Sequence, residues 1–300
     1  MEIPVYISLT TLPDRITHRK TQRAIQSILH GEVLPKKIIL NIPLKTMKGQ
    51  TYSPSLFKYP VFKNPRVVIH HVEEDMGPIL KLDGGLRYLQ KNNLESSHII
   101  LIDDDIVYPP NLLKLLWNKH FQHPHSSLGF AGRTWNPENQ KLVFKAYYKH
   151  NIYHPGNFTY CHLLETFHMV IHPTDIFLNH YEEWKSFLNE TFVKSPKSIF
   201  TDDIVISLWL REKKIHRIIL KGPRIKIITG ELPKLSDINC GNRGNNQSIF
   251  KDIFYKEDDN PFPTPIEFKK ISNIKPLKKI NKLVLPKWKI DLLRKQIYHK

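Results

Sequence analysis

The run His98–Ile102 (His-Ile-Ile-Leu-Ile) passes without a break into three aspartates, Asp103-Asp104-Asp105. An apolar run this short is strand length rather than helix length, and with no polar alternation it must be covered on both faces. Such a strand belongs inside a sheet layered with helices, and the neighbouring sequence supplies them. Val5–Leu9, Lys37–Ile42 and Arg66–His71 read as further strands. Residues 17–30 carry Ala24, Ile25, Ile28 and Leu29 at helical spacing, and residues 78–91 carry Ile79, Leu82, Leu86 and Leu89. Strands alternating with helices predict βαβ units and a mostly parallel, Rossmann-like α/β sheet. Ligands of such sheets bind beyond the carboxyl ends of the strands, where the three aspartates fall.

Three consecutive carboxylates at the end of a buried strand repel one another and lose solvation unless a positive group joins them. In an extended segment Asp103 and Asp105 point the same way and Asp104 faces elsewhere. Two converging oxygen donors, completed by water and phosphate oxygens, suit Mg²⁺ or Mn²⁺. The alternative is a polar turn capping a helix that starts near Pro110, which accounts for one aspartate rather than three. A second acidic pair, Asp202-Asp203, follows Thr201 and precedes Ile204, Val205, Leu208 and Trp209 at helical spacing. Helix-dipole stabilisation explains that pair without any chemistry, so both readings stand.

Charge singles out the far end of the chain. The 300 residues hold 45 Lys and Arg against 28 Asp and Glu, a net charge of +17. Residues 261–300 contain eleven Lys or Arg opposed by Glu267 and Asp291 alone. Pro261-Phe-Pro-Thr-Pro265 can propagate neither a helix nor a central strand. We therefore expect a globular domain over 1–260 and a basic C-terminal extension over 261–300. The extension mixes lysines with Ile, Leu and Trp288, as a segment contacting an anionic membrane surface would. A solvated basic extension reads equally well. A nucleic-acid-binding protein is the rival class for a chain this basic, but no binding motif accompanies the charge.

With 40% hydrophobic and 24% charged residues the chain is neither disordered nor collagen-like. Cys161 and Cys240 lie far apart with no metal-type spacing, and the sixteen histidines show no zinc spacing either. His70, His71, His168 and His172 are expected in strands. The N-terminal Met-Glu-Ile-Pro-Val-Tyr lacks a basic region, and no window has the ~20 apolar residues of a membrane helix. The expectation is a soluble, cytoplasmic protein, peripheral at a membrane if the basic extension engages one.

An apolar strand running into Asp103-Asp104-Asp105 resembles the DxD motif of GT-A fold glycosyltransferases. Ser8-Leu-Thr-Thr-Leu-Pro-Asp-Arg15 and Glu74-Asp-Met-Gly-Pro-Ile-Leu-Lys81 resemble segments of family 2-like transferases from bacteria and large DNA viruses. The resemblance spans roughly residues 3–230 and implies a GT-A fold. It implies that Thr10, Thr11 and Arg15 cradle the nucleotide base and ribose, and that Asp75 bonds the uracil or ribose edge. Lys81 would reach the diphosphate or sugar. Asp103 would lie on the ribose side of a metal held by Asp105, with Asp104 on the same donor side. Thr201-Asp-Asp203 resembles the motif that supplies the general base of inverting members, making Asp203 the base and Asp202 its support. Arg133 and Trp135 are acceptor-pocket candidates, and Glu165 is a weaker one. Glu165-Thr166 stands where the family has a glycine-rich turn. A loop over Asn239–Gln247 with Arg243, and a helix over 248–256, complete the expected body.

The activity implied is transfer of a sugar from a nucleotide sugar, of the UDP class, to a glycan or glycoconjugate. It would depend on Mn²⁺ or Mg²⁺ and proceed with inversion. A metal-dependent nucleotidyltransferase or phosphoesterase is the rival enzyme class. Sugar-activating nucleotidyltransferases carry a glycine-rich signature after their first strand, which Ser8–Arg15 lacks.

Overall fold

The computed structural model describes residues 2–94, 97–136, 141–146, 158–228 and 249–250. The expected loop over Asn239–Gln247 with Arg243, the helix over 248–256 apart from its residues 249 and 250, Cys240 and the basic extension lie outside them.

The first half is built of β1 (Glu2–Thr10), α1 (Pro13–Thr17), α2 (Lys20–Leu29), β2 (Leu34–Pro43), β3 (Val67–Val72), α3 (Leu80–Lys91) and β4 (His98–Leu101). After it come β5 (Ile106–Val107), α4 (Leu112–His120), β6 (Ser127–Gly129), β7 (Ala131–Asn136), β8 (Lys141–Ala146), β9 (Phe158–Tyr160) and β10 (Leu163–Leu164). The last stretch holds β11 (Val170–His172), α5 (Asp175–Leu178), α6 (Tyr181–Lys194), α7 (Asp202–Glu212), β12 (Arg217–Leu220) and β13 (Lys226–Ile227). Eight strands form one sheet in the order β3-β2-β1-β4-β11-β6-β12-β9. The first four are parallel, β11 runs antiparallel to both β4 and β6, β12 is parallel to β6, and β9 is antiparallel to β12. The fold is thus an α/β architecture with a large, mostly parallel mixed sheet.

The central strand is buried on both faces, as its composition requires. Ile100 and Ile102 pack with Ile7, Ile38 and Leu40 against Ile25 and Ile28 of α2 and Leu112 and Leu116 of α4. Ile99 and Leu101 face the other way, onto Leu82 and Leu86 of α3, Trp184 of α6 and Val205 and Trp209 of α7. Each such side chain contributes about 1.5–3 kcal/mol through burial. Two glycines let α3 lie close to the sheet. A β-carbon on Gly84 would fall 2.6 Å from Asn41 Oδ1, and one on Gly85 2.4 Å from Ile99 Cδ1 and 2.6 Å from Ser8 Oγ.

Two expectations need correction. The helix read over 17–30 is α2, with all four apolar positions on it, but it starts at Lys20 because Arg19, at φ 58°, breaks the ladder after the short α1 that Pro13 opens. His168 lies in a 3₁₀ turn, Thr166–His168, rather than in a strand, while His70, His71 and His172 are on strands. Among the described residues no helix is long and apolar enough to cross a membrane.

Candidate active site

The parallel strands β1 and β4 end side by side, and the chain turns immediately after β4. The turn is pinned by the buried Tyr108, whose hydroxyl accepts from Asp103 N at 2.9 Å and donates to Phe167 O at 3.1 Å. Because the backbone turns rather than extends, the aspartates do not alternate as the sequence suggests. Asp104 is buried and accepts from the Arg15 guanidinium and the Thr11 hydroxyl. Asp105 Oδ2 lies 3.3 Å from the same Arg15 Nη1. Asp103 turns the other way, to Lys81.

Lys81, in the first turn of α3, is only 4% exposed. Its ammonium donates to Asp103 Oδ1 at 2.5 Å and to Thr166 Oγ1 at 2.8 Å, and forms an ion pair with Asp202 Oδ2 at 2.9 Å. Thr166 binds the second acidic motif in turn. Its amide donates to Asp203 Oδ1 at 2.8 Å, and its hydroxyl lies 2.8 Å from Asp202 Oδ2 and 3.0 Å from Asp203 Oδ1. Thr166 is there because β11 opposes β4, pairing Val170 with Leu101, so residues just before β11 lie past the carboxyl end of β4. Asp202 and Asp203 open α7, where their charge also suits the helix dipole. Thr201, at the N-cap, makes no side-chain capping bond. Next to Thr166, Glu165 accepts from Arg133 Nε at 2.5 Å through Oε1, and its buried Oε2 has no partner among the described residues.

The electrostatics are unbalanced. Six carboxyl groups (Asp103, Asp104, Asp105, Glu165, Asp202 and Asp203) interact here with four cationic side chains, Arg15, Lys20, Lys81 and Arg133. Burial pulls Lys81 and Arg15 toward neutrality, but their aspartates outweigh it and hold both above their usual ranges. Burial, reinforced by Asp104 and Asp103 against Arg15, pushes Asp105 up to about 6. Burial and the neighbouring Asp202 push Asp203 well above the usual carboxylate range, with Lys81 opposing. Glu165 is raised by burial in spite of Arg133. A site with such an excess of carboxylates takes up either protons or a cation.

A hard cation bound here would share its shell with ligand oxygens, because Asp103 and Asp105 face different partners. Among the described residues no three His, Cys, Asp or Glu side chains are arranged to hold a metal ion alone. Mg²⁺ is commonly held by one or two carboxylates with phosphates and water completing the shell. Asp103 and Asp105, with side chains 31% and 16% exposed, are the carboxylates of the first motif that keep some access to solvent.

The other candidates are placed as follows. Thr10 Oγ1 donates to Asn41 O at 3.0 Å and ties β1 to β2. Asp75 accepts from Met47 N at 2.9 Å and Gly77 N at 2.8 Å, joining two loops. Trp135 is buried and stacks on Phe250 at 5.1 Å, in a core cluster with Ile204 and Leu208. Arg133 stays partly exposed, with its guanidinium over the Phe144 ring. Glu165 is buried.

The sequence reading missed Thr166 and Tyr108 as members of the site. A lone Thr has no sequence signature, and Tyr108 is marked only by its place five residues past the first aspartate. The turn Thr166–His168 ends on Met169, buried and at φ 65°, ψ 113°. That conformation costs a non-glycine residue about 1–3 kcal/mol. The chain matches no protein-family model and no curated protein.

Proposed function

We propose that the protein is a metal-dependent, inverting glycosyltransferase of the GT-A type. It moves a sugar from a nucleotide sugar, of the UDP class, to a hydroxyl of a glycan or glycoconjugate. The observation that carries this reading is the meeting of the two acidic motifs at the carboxyl end of β4, through Lys81 and Thr166. Transfer with inversion needs a donor-side acid group and, across the reacting carbon, one base for the acceptor hydroxyl.

Asp203 is the residue we assign as the base. Thr166 fixes its Oδ1 with two hydrogen bonds, which leaves Oδ2 to accept the acceptor proton. Its raised pKa makes it a stronger base than a solvated aspartate, and a positioned base contributes about 10²–10⁴ in rate. Asp105 would hold Mn²⁺ or Mg²⁺ together with phosphate oxygens and water, a cation that would neutralise charge on a diphosphate leaving group, while Asp103, turned to Lys81, lies beside it. Arg133 and Glu165 form the acceptor side: a half-exposed guanidinium and a buried carboxyl with one unused oxygen suit sugar hydroxyls.

The test is calorimetric titration of UDP with and without Mn²⁺, on the wild type and on Asp105→Ala. Metal-dependent binding that disappears in the variant is expected, followed by UDP release when a matched donor and acceptor are supplied. Release of inorganic phosphate or pyrophosphate instead would move the site to the phosphoesterase or nucleotidyltransferase class. No binding of UDP, GDP or dTDP under either condition overturns the reading.

A further inference from the structure

An ammonium group has three N–H donors and no acceptor. Two donors of Lys81 are taken, by Asp103 and Thr166, and Asp202 Oδ2 lies 2.9 Å from the ammonium as an ion-pair partner, so three different chain segments engage the group. The residue is anchored at its root as well. Ser8 Oγ donates to Lys81 O at 2.5 Å, and Gly84 and Gly85 hold the same helix against β1, β2 and β4. The lysine therefore runs from a fixed backbone position to a fixed set of acceptors.

We infer that Lys81 is a positioning residue that sets the acceptor-side base in register with the donor-side acids, rather than a ligand of the nucleotide sugar. The inference rests on the glycosyltransferase reading above and reassigns one of its residues. The path runs through Thr166. By donating to Thr166 Oγ1, Lys81 turns the single hydroxyl proton of that threonine toward the carboxylates of α7. The Thr166 amide holds Asp203 Oδ1 from the same residue. Asp202 then acts as the counter-ion of Lys81, and Asp203 is left as the one acid of the pair that faces the acceptor. Without Lys81, Asp103, Asp202 and Asp203 would confront each other with no cation between them, and the base would leave its position.

Lys81→Met separates the two roles in the full-length chain. A positioning role predicts a UDP affinity, with Mn²⁺, within about threefold of wild type, and a kcat for sugar transfer lower by about 100-fold or more with little change in donor KM. Thr166→Val should show the same split, and Thr166→Ser should restore most of the rate because it keeps the hydroxyl. Should Lys81→Met fail to fold, Lys81→Met with Asp202→Asn removes the ion pair as a neutral unit and gives the same readouts, as does Thr166→Val alone. Loss of UDP affinity by tenfold or more with kcat preserved would return Lys81 to the donor site and overturn the inference alone. A wild type that neither binds a nucleotide nor transfers sugar would overturn the glycosyltransferase reading itself, before any variant is compared.

Discussion

Arg15 and Lys81 are both buried cations among aspartates at the same end of the sheet, and the two clusters are closed in different ways. Arg15 pairs with Asp104, and both side chains are nearly sealed from solvent. Asp104 also accepts from Thr11, which lies 2.6 Å from Thr21 in the neighbouring helix, and Arg15 has a second, more distant acid in Asp105 at 3.3 Å. Lys81 pairs with Asp103, which is about one third exposed, and with Asp202, which leads to Asp203 and Thr166. The Arg15–Asp104 pair is closed and matched one to one, with Asp105 at its edge, while the Lys81 cluster carries more acids than cations and opens to solvent through Asp103. A buried, balanced ion pair mainly fixes conformation. An unbalanced one with raised carboxyl pKa values and solvent access is where chemistry is expected.

The sharpest way to break this comparison is Asp203→Asn. It should lower sugar transfer by about 10²–10⁴ while UDP binding persists. Equal losses in binding and turnover would put Asp203 on the donor side. In the wild type, transfer should fall as pH drops through the raised pKa of Asp203, above the ordinary aspartate value of about 4. The stability effect has the opposite sign. A carboxyl raised by folding favours the folded state while protonated and loses that contribution as pH rises, so Asp203→Asn should gain thermal stability over wild type mainly at higher pH.

Next in size is the closed pair. Asp104→Ala strands a buried guanidinium and should cost about 3–5 kcal/mol in urea unfolding. Asp103→Ala should cost clearly less, because Asp103 is partly solvated. Equal costs would erase the distinction between the clusters. Gly85→Ala tests the support of the open one, since its new β-carbon meets Ile99 and the Ser8 hydroxyl that holds the Lys81 backbone. A loss of about 1–3 kcal/mol, with transfer reduced more than UDP binding, is expected. The smallest effect should come from Asp75→Ala, about 1 kcal/mol from two lost loop hydrogen bonds, with UDP affinity unchanged. A tenfold weaker UDP affinity would restore Asp75 to the nucleotide site.

What the sequence made legible, and what it hid, divides by range. The strands are visible because Lys37–Ile42 and His98–Ile102 are apolar on both faces, and the double burial of Ile99 through Ile102 follows from that. The interruption at Arg19 is hidden, since nothing in an arginine announces a left-handed backbone. Both acidic motifs are visible locally. Their meeting is not, because it depends on Lys81 reaching Thr166 across 85 residues and on a turn pinned by Tyr108. The alternation expected of Asp103 and Asp105 failed for the same reason: a turn obeys its hydrogen bonds, not strand periodicity. Trp135, an acceptor-pocket candidate in the sequence, is packed against Phe250.

The reversed direction of β11 has a consequence for how such a site can change. In a wholly parallel sheet every loop at the ligand end leaves a strand, and each is followed by a helix that must cross back. A strand run backwards enters from that end, so the segment carrying Glu165 and Thr166 arrives from the small β7–β8–β10 sheet rather than from a crossover. The segment can be lengthened, shortened or replaced without altering the register of β1, β2 and β4. On the proposed reading, acceptor preference and donor binding would be written on separate stretches of chain that meet at Thr166.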